Sequence, residues 1–240
     1  MTSKSEFLSI PKIHIERNDC FAFLEGVKEE SIDLILIDPP YEISRKTGFQ
    51  SVVNGVERFG VSMDFGNWDH EKLDLETIIP SFYRVLKKGG TAIIFYDLWK
   101  ITPLSEALKQ SGFKQLRFLE WLKTNPVPLN SKVNYLTNAR EIAISAVKGG
   151  RPKFHSSYDN GIYEFPIYQG KERSHPTQKP VKLFEALIEK HSDPGDTVLD
   201  CFLGSGTTAV ACKRTGRNFT GCELDETYCK NAIKRVDSLK

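Results

Sequence analysis

Three short segments of this 240-residue chain group side chains suited to chemistry. The first is Asp38-Pro39-Pro40-Tyr41, directly after the apolar run Ile32–Ile37. Neither proline offers an N–H, so a sheet ladder cannot continue through them, and they set a stiff extended bend. Such a bend at the end of a buried strand presents a carboxylate, backbone carbonyls without ladder partners and an aromatic ring. Carboxylate and carbonyl can accept the two hydrogens of an exocyclic amine, and the ring can stack on a planar base. A plain turn with a capping Asp accounts for a bare D-P-P better than for D-P-P-Y behind an apolar strand.

The second segment is Asp200-Cys201-Phe202-Leu203-Gly204-Ser205-Gly206-Thr207-Thr208. Its glycines permit a tight strand-to-helix turn and close approach of a ligand to the backbone. Glu223 lies 17 residues past Gly206, at the end of the next apolar stretch, where an acidic side chain can grip two ribose hydroxyls. Residues 204–209 also fit the dinucleotide fingerprint G-x-G-x-x-A, so an NAD-dependent oxidoreductase is a rival reading. It is not a nucleoside-triphosphate loop, because no G-K-[ST] follows. Only 34 residues follow Gly206, too few for the second half of a dinucleotide fold. A mononucleoside ligand such as S-adenosylmethionine needs no second half. The third segment, Ser174-His175-Pro176-Thr177-Gln178-Lys179-Pro180, precedes an amphipathic stretch. Hydroxyl side chains at a helix N-terminus, with a lysine beside them, make a carboxylate-binding corner, although in isolation a helix cap is the better reading.

The elements that must position these segments alternate short apolar runs with amphipathic stretches, the pattern of an α/β sheet. Strands are expected at 12–17, Ile32–Ile37, 91–96, 118–123, 141–147, 197–199 and Asn218–Glu223. Helices are expected at 20–27, 75–86 (despite Pro80), 103–110, 180–191, 206–214 and 226–236, with Lys87-Lys88-Gly89-Gly90 stopping the second. Residues 42–70 and, between strands, 125–138 and 149–173 show no regular pattern. Irregular stretches of that length tend to be functional or disordered. We expect one domain spanning 1–240, a substrate-recognition insertion within 125–173 and a mobile loop at 42–70.

Composition sets the outer bounds. Forty per cent hydrophobic and 27% charged residues describe an ordinary globular chain. No run approaches the ~20 apolar residues of a membrane span, and residues 1–19 lack the apolar core of a secretion signal. Five cysteines without a C-x-x-C pair read as reduced thiols in a cytoplasmic protein, with no metal site. Between 123 and 182 there are ten Lys or Arg against four Asp or Glu, whereas the rest of the chain is net acidic. Interleaved aromatics there (Tyr135, Phe154, Tyr158, Tyr163, Tyr168) suit a nucleic-acid groove.

Taken together, the segments resemble the β-arranged amino-methyltransferases of DNA. D-P-P-Y comes first in that family, then a basic variable region, then H-P-T-Q-K-P, then D-x-F-x-G-S-G-T-T. Asn18-Asp19-Cys20, Asp64-Phe65-Gly66-Asn67-Trp68-Asp69 and Trp121-Leu122-Lys123-Thr124-Asn125-Pro126 match as well. The likeness runs from about Ile13 to Val236 and is close to the small adenine-N6 enzymes of bacterial restriction–modification systems. The main departure is Cys201, where the family usually has Pro.

The resemblance implies a Rossmann-like, seven-stranded, mostly parallel sheet with helices on both faces. It implies S-adenosyl-L-methionine as cofactor, S-adenosyl-L-homocysteine as product, and no metal. Asp38, Pro39, Pro40 and Tyr41 would form the catalytic motif. Asp19, Cys20, Asp38, Thr177, Gln178, Lys179, Asp200, Phe202, Gly204, Ser205, Gly206, Thr207 and Glu223 would hold the cofactor. The substrate would be double-stranded DNA with one base flipped out, contacted by Lys123, Asn125, Lys132, Arg140, Arg151 and Lys153. A second copy of the chain and a cognate restriction endonuclease are further expected partners. Asp at the first motif position correlates with adenine-N6 methylation, and Ser with cytosine-N4, which stays as the alternative. Cytosine-C5 chemistry needs a nucleophilic Cys after a Pro, and none of the five cysteines follows one. An inactive DNA-binding relative and a metal hydrolase using His155, His175 and Asp38 are weaker alternatives.

Overall fold

Ile32–Ile37 is buried at every position, as a strand with both faces covered must be. It is β2, near the middle of an eight-stranded sheet. The computed structural model describes residues 10–40, 49–53, 56–61, 75–126, 136–168 and 178–239. In chain order the main sheet is built from β1 (Ile13–Arg17), β2 (Ile32–Ile37), β5 (Leu86–Tyr96), β6 (Lys114–Lys123), β7 (Arg140–Val147), β8 (Ile162–Phe165), β9 (Thr197–Asp200) and β10 (Asn218–Glu223). Their spatial order is β1-β10-β9-β2-β5-β7-β6-β8. Every neighbouring pair is parallel except the two that involve β7. The β7 strand therefore runs alone against the other seven. A separate antiparallel hairpin pairs β3 (Phe49–Val53) with β4 (Val56–Val61).

Among the described residues six α-helices flank these strands: α1 (Cys20–Gly26), α2 (Leu75–Val85), α3 (Ile101–Gln110), α4 (Val181–His191), α5 (Thr207–Thr215) and α6 (Glu226–Asp237). The period-two alternation of each strand sorts them onto two faces. Ile35 and Ile37 of β2, with Ala92 and Ile94 of β5, pack with the apolar stripes of α1, α2 and α3. Leu34, Leu36, Ile93 and Phe95 point the other way, onto α4, α5 and α6. This is the α/β architecture with helices on both faces that the sequence predicts.

Three features differ from expectation. Lys87–Gly90 does more than end α2. It runs on as the start of β5, and the β2–β5 register slips between Ile32 and Leu34 to accommodate it. An eighth strand, β8, forms inside the stretch expected to be irregular and pairs with β6 at the sheet's edge. The hairpin β3–β4 lies within the expected loop at 42–70, whose remaining residues fall outside the described ones. Pro80 sits exposed within α2, where it removes one backbone donor from the helix.

Candidate active site

A parallel sheet collects the ends of its strands on one edge, outside which ligands bind in open α/β folds. Here that edge carries Asp38 after β2, Asp200 at the end of β9, Glu223 at the end of β10 and Asp19 just beyond β1. Because β7 runs in reverse, its first residues, Arg140 and Glu141, come to the same edge. So does Lys123, the last residue of β6.

Asp38 leaves the sheet where the β2–β5 ladder ends, at Ile37 opposite Ile94. Lys179 Nζ donates to its Oδ2. Its Oδ1 is buried with no hydrogen-bond partner among the described residues. A fifth of the side chain is exposed, although Oδ1 itself is sealed from solvent. Burial pushes the Asp38 carboxyl above the ordinary range, against the pull of Lys179. Lys179 also lies 3.0 Å from Glu141 Oε2, and Glu141 Oε1 is 2.8 Å from Lys123 Nζ. Burial raises the Glu141 carboxyl too, but its two lysines outweigh that and hold it low.

The glycine segment is built around Asp200 and Glu223. Asp200 Oδ1 accepts the Phe202 N–H at 2.9 Å, and Oδ2 accepts the Thr208 hydroxyl at 2.5 Å. Burial pushes its carboxyl up to about 7. Gly204 has φ +52° and Gly206 φ +82°, values that favour glycine. A Cβ on Gly206 would come within 2.9 Å of the Ala232 Cβ, whereas one on Gly204 would meet no atom within 4 Å. The loop therefore packs on α6 at Gly206 and opens outward at Gly204. Glu223 accepts the Gly204 N–H at 2.7 Å on Oε2 and the Asp225 N–H at 2.9 Å on Oε1. Each carboxylate oxygen keeps a lone pair for another donor. Burial raises the Glu223 carboxyl. Arg235 of α6 donates to the Ser205 carbonyl at 2.9 Å.

The sequence-predicted residues fall into groups. Asp38, Pro39, Pro40, Gln178, Lys179, Asp200, Phe202, Gly204, Ser205, Gly206, Thr207 and Glu223 belong to the elements that meet at this edge. Tyr41, Thr177 and Lys132 lie outside the described residues, as do 64–69 and His175. Asp19 caps α1, its Oδ1 accepting from the N–H groups of Phe21 and Ala22. Cys20 behind it is buried, and burial raises its thiol to about 12. Cys201 is likewise buried, and all five cysteines are free.

The residues expected to touch DNA divide by position. Asn125 ties down its own chain, accepting the Ile167 N–H at 2.6 Å. Lys123 is only 10% exposed and is taken up by Glu141. Arg140 stands out at the edge that carries Asp38, 72% exposed and 2.6 Å from Glu120. Arg151 and Lys153 lie at the opposite end of the sheet. Lys153 pairs with Asp196 at 2.5 Å and Asp193 at 3.2 Å, and lies 3.6 Å from Asp33. Asp33 is five residues before Asp38 on β2, about 16 Å away along an extended strand. The Arg151 carbonyl packs against Gly89, near the start of β5. Sequence reasoning assigned no role to Glu141, whose only signal is a charge at the mouth of an apolar strand. Gly221 was missed as well. It lies opposite Asp200 in the β9–β10 ladder, so close that a Cβ would come within 2.1 Å of the Asp200 carbonyl oxygen.

The family model for DNA methylases matches residues 32–234, from β2 through most of α6. The chain belongs to the DNA methylase family. Among the relatives of this methylase, the Type II methyltransferase M2.DpnII of Streptococcus pneumoniae is 35% identical, across 95% of this chain and 90% of its own. Type II methyltransferase M.HinfI of Haemophilus influenzae is 32% identical, across 94% of this chain and 68% of its own. The crystal structure of the M1.HpyAVI–SAM complex superposes with a TM-score of 0.73 at 28% identity, covering 94% of this methylase and 99% of that chain. The cytosine-N4-specific PvuII DNA methyltransferase has the same fold, with a TM-score of 0.74 at 20% identity, over 93% and 86% of the two chains. No group of His, Cys, Asp and Glu among the described residues could hold a metal ion. No described helix is long and apolar enough to cross a membrane.

Proposed function

We propose that this DNA methylase transfers a methyl group from S-adenosyl-L-methionine to the N6 amine of an adenine flipped out of double-stranded DNA. We place it in the cytoplasm as the modification partner of a restriction endonuclease. The observation that carries the reading is the Asp38 carboxylate, one oxygen held by Lys179 and the other buried without a partner among the described residues, at the sheet edge that also presents Glu223 and Gly204.

The residues at that edge suit the cofactor. Glu223 has acceptor capacity left for ribose hydroxyls, and the open face at Gly204 lets a nucleoside approach the backbone. Phe202, Ser205, Gly206 and Thr207 complete that wall, with Asp200 bracing it and Asp19 and Cys20 on the adenine side. The resemblance assigns Thr177, Gln178 and Lys179 to the methionine end. When bound, S-adenosylmethionine supplies an electrophilic methyl on a sulfonium, already a good leaving group.

The chain's own task is to make a poor nucleophile attack. An amine on an aromatic ring shares its lone pair with the ring. Asp38 Oδ1 accepts one amine hydrogen and the Pro39 carbonyl the other, which favours a pyramidal nitrogen with a localised lone pair. The same acceptors stabilise the positive charge that grows on nitrogen as the methyl arrives. Tyr41 stacks on the flipped base, and alignment supplies much of the remaining acceleration. No covalent intermediate is needed. We assign the recognition insertion of a single domain to a part of 125–173 other than the sheet strands β7 and β8, and the loop that closes over the site to 42–70. A second copy of the chain completes the embrace of the duplex.

Tritiated S-adenosylmethionine and mixed-sequence duplex DNA test this, with wild type compared against Asp38→Asn and the digested DNA resolved by mass spectrometry. N6-methyladenine is expected from wild type. The Asn variant should be slower by at least about 100-fold, with cofactor affinity changed by no more than a few fold. N4-methylcytosine would overturn the choice of base and keep the site.

A further inference from the structure

We propose that Asp38, Lys179, Glu141 and Lys123 act as one charge-balanced row, in which Glu141 and Lys123 are positioning residues that reach the substrate amine only through Lys179 and Asp38. The proposal rests on the reading of Asp38 given above and assigns work to two residues outside the motif.

The geometry is a chain of alternating charge drawn from four separate parts of the fold. Asp38 follows β2, Lys179 precedes α4, Glu141 opens β7 and Lys123 closes β6. Lys179 Nζ donates to Asp38 Oδ2 and lies 3.0 Å from Glu141 Oε2, and Lys123 Nζ lies 2.8 Å from Glu141 Oε1. The lysines are nearly sealed from solvent, Lys179 at 4% exposed and Lys123 at 10%. Each also lies beside an aromatic ring, Lys179 Nζ 5.6 Å from the Phe95 centroid and Lys123 Nζ 5.3 Å from that of Trp121. A lysine so enclosed is poorly placed to neutralise a phosphate. Its formal charge balances a carboxylate instead.

Two carboxylates and two ammoniums make a neutral set. Deleting one member leaves an uncompensated charge in a poorly solvated place, and such a charge is relieved by a proton shift. Asp38 is faced by Lys179, by Glu141, by Lys123 and, from β9, by Asp200. Burial raises its carboxyl most, Lys179 opposes that, Glu141 adds to it and Lys123 opposes it. The sign of each substitution follows. Removing Lys123 leaves Glu141 to draw on Lys179 alone, so Asp38 takes a proton at higher pH and loses its acceptor. Removing Glu141 as well restores a neutral Asp38–Lys179 pair.

The experiment is a pH profile of single-turnover methyl transfer for wild type, Lys123→Met, Lys123→Arg, Glu141→Gln and the double variant Lys123→Met/Glu141→Gln. DNA affinity is measured at several salt concentrations. Lys123→Met should move the acid limb up by about one pH unit, roughly a ten-fold rate loss on that limb, with full rate recovered at alkaline pH and an unchanged salt slope. Lys123→Arg keeps the charge and should leave the limb in place. The double variant should return the limb to within about half a unit of wild type, a coupling that two independent lesions would not show. Equal rate losses at every pH, multiplying in the double variant, would reduce the row to scaffolding and overturn the proposal. A smaller salt slope in Lys123→Met would overturn it by making Lys123 a phosphate contact. NMR titration of the 13C-labelled Asp38 carboxyl, assigned with Asp38→Asn, reads the same shifts without turnover. A wild type that methylates no DNA would sink the proposed reaction, while the carboxyl titration still decides the row.

Discussion

At the scale of single residues, acidic side chains at one sheet edge have different tasks because their surroundings differ. Among the described residues Asp38 keeps an acceptor oxygen without a partner, whereas both oxygens of Asp200 are taken by Phe202 and Thr208. Both oxygens of Glu223 hold backbone N–H groups as well, but Asp200 is only 3% exposed whereas Glu223 is half-buried, so Asp200 braces the glycine turn and Glu223 is the one we propose to meet the ligand. Glu223→Gln removes the charge and turns one of the two oxygens, each of which holds a backbone N–H, into a donor. We expect the KM for S-adenosylmethionine to rise about ten-fold, the worth of one hydrogen bond to a charged group, with kcat changed far less. Steady-state kinetics on cognate DNA checks this, and an unchanged KM would remove Glu223 from the cofactor site. Asp19 was expected beside the cofactor from its motif. Its Oδ1 already serves as the N-cap of α1, a local task that D-C-F in the sequence does not distinguish from ligand contact.

At the scale of elements, the site depends on how closely β9 and β10 approach. Gly221 lies opposite Asp200, and a methyl there would sit 2.1 Å from a backbone oxygen, which cannot rotate away. Gly221→Ala should therefore push the strands apart, cost about 3 kcal/mol or more and carry Glu223 out of place. Gly195 gives a control. It has φ +85° but open space around it, so Gly195→Ala should show only backbone strain of about 1 kcal/mol. Thermal melts of the two variants, with cofactor titrations, separate crowding from strain. Equal destabilisation would mean that the strands can give way. The sequence shows both glycines alike, because the contact that distinguishes them comes from a strand about twenty residues away.

At the scale of the whole molecule, the sheet has a working end and a far end, and charge count alone does not tell them apart. The basic excess at 123–182 was read as one polyanion-binding face. The reversal of β7 splits it, leaving Arg140 and Lys123 at the catalytic edge and carrying Arg151 and Lys153 to the other. Lys153 there neutralises Asp196 and Asp193, which explains its raised ammonium despite partial burial. Lys153→Ala should leave DNA affinity within about two-fold and lower the melting temperature. Arg140→Ala should weaken DNA binding and reduce the slope of log K against log salt by about one. A large loss of DNA affinity in Lys153→Ala would put DNA on the far end as well.

The proline bend after β2, the glycine turn, the acid that follows it and almost every strand and helix were legible in the sequence. These are local: a proline pair must end a ladder, apolar alternation must find two cores, and a glycine-rich turn must leave a strand for a helix. What the sequence could not settle is long-range. Asp38 and Lys179 are 141 positions apart, and their pairing exists only because the segment before α4 returns to the end of β2. The partnership of Glu141 with Lys123 and Lys179 needs one antiparallel strand among parallel neighbours, a matter of topology that no spacing encodes. The sequence alone determined which chemical groups are present and how each is locally held. Tertiary structure decided which charges share a poorly solvated volume, and so which carboxylate is left able to accept.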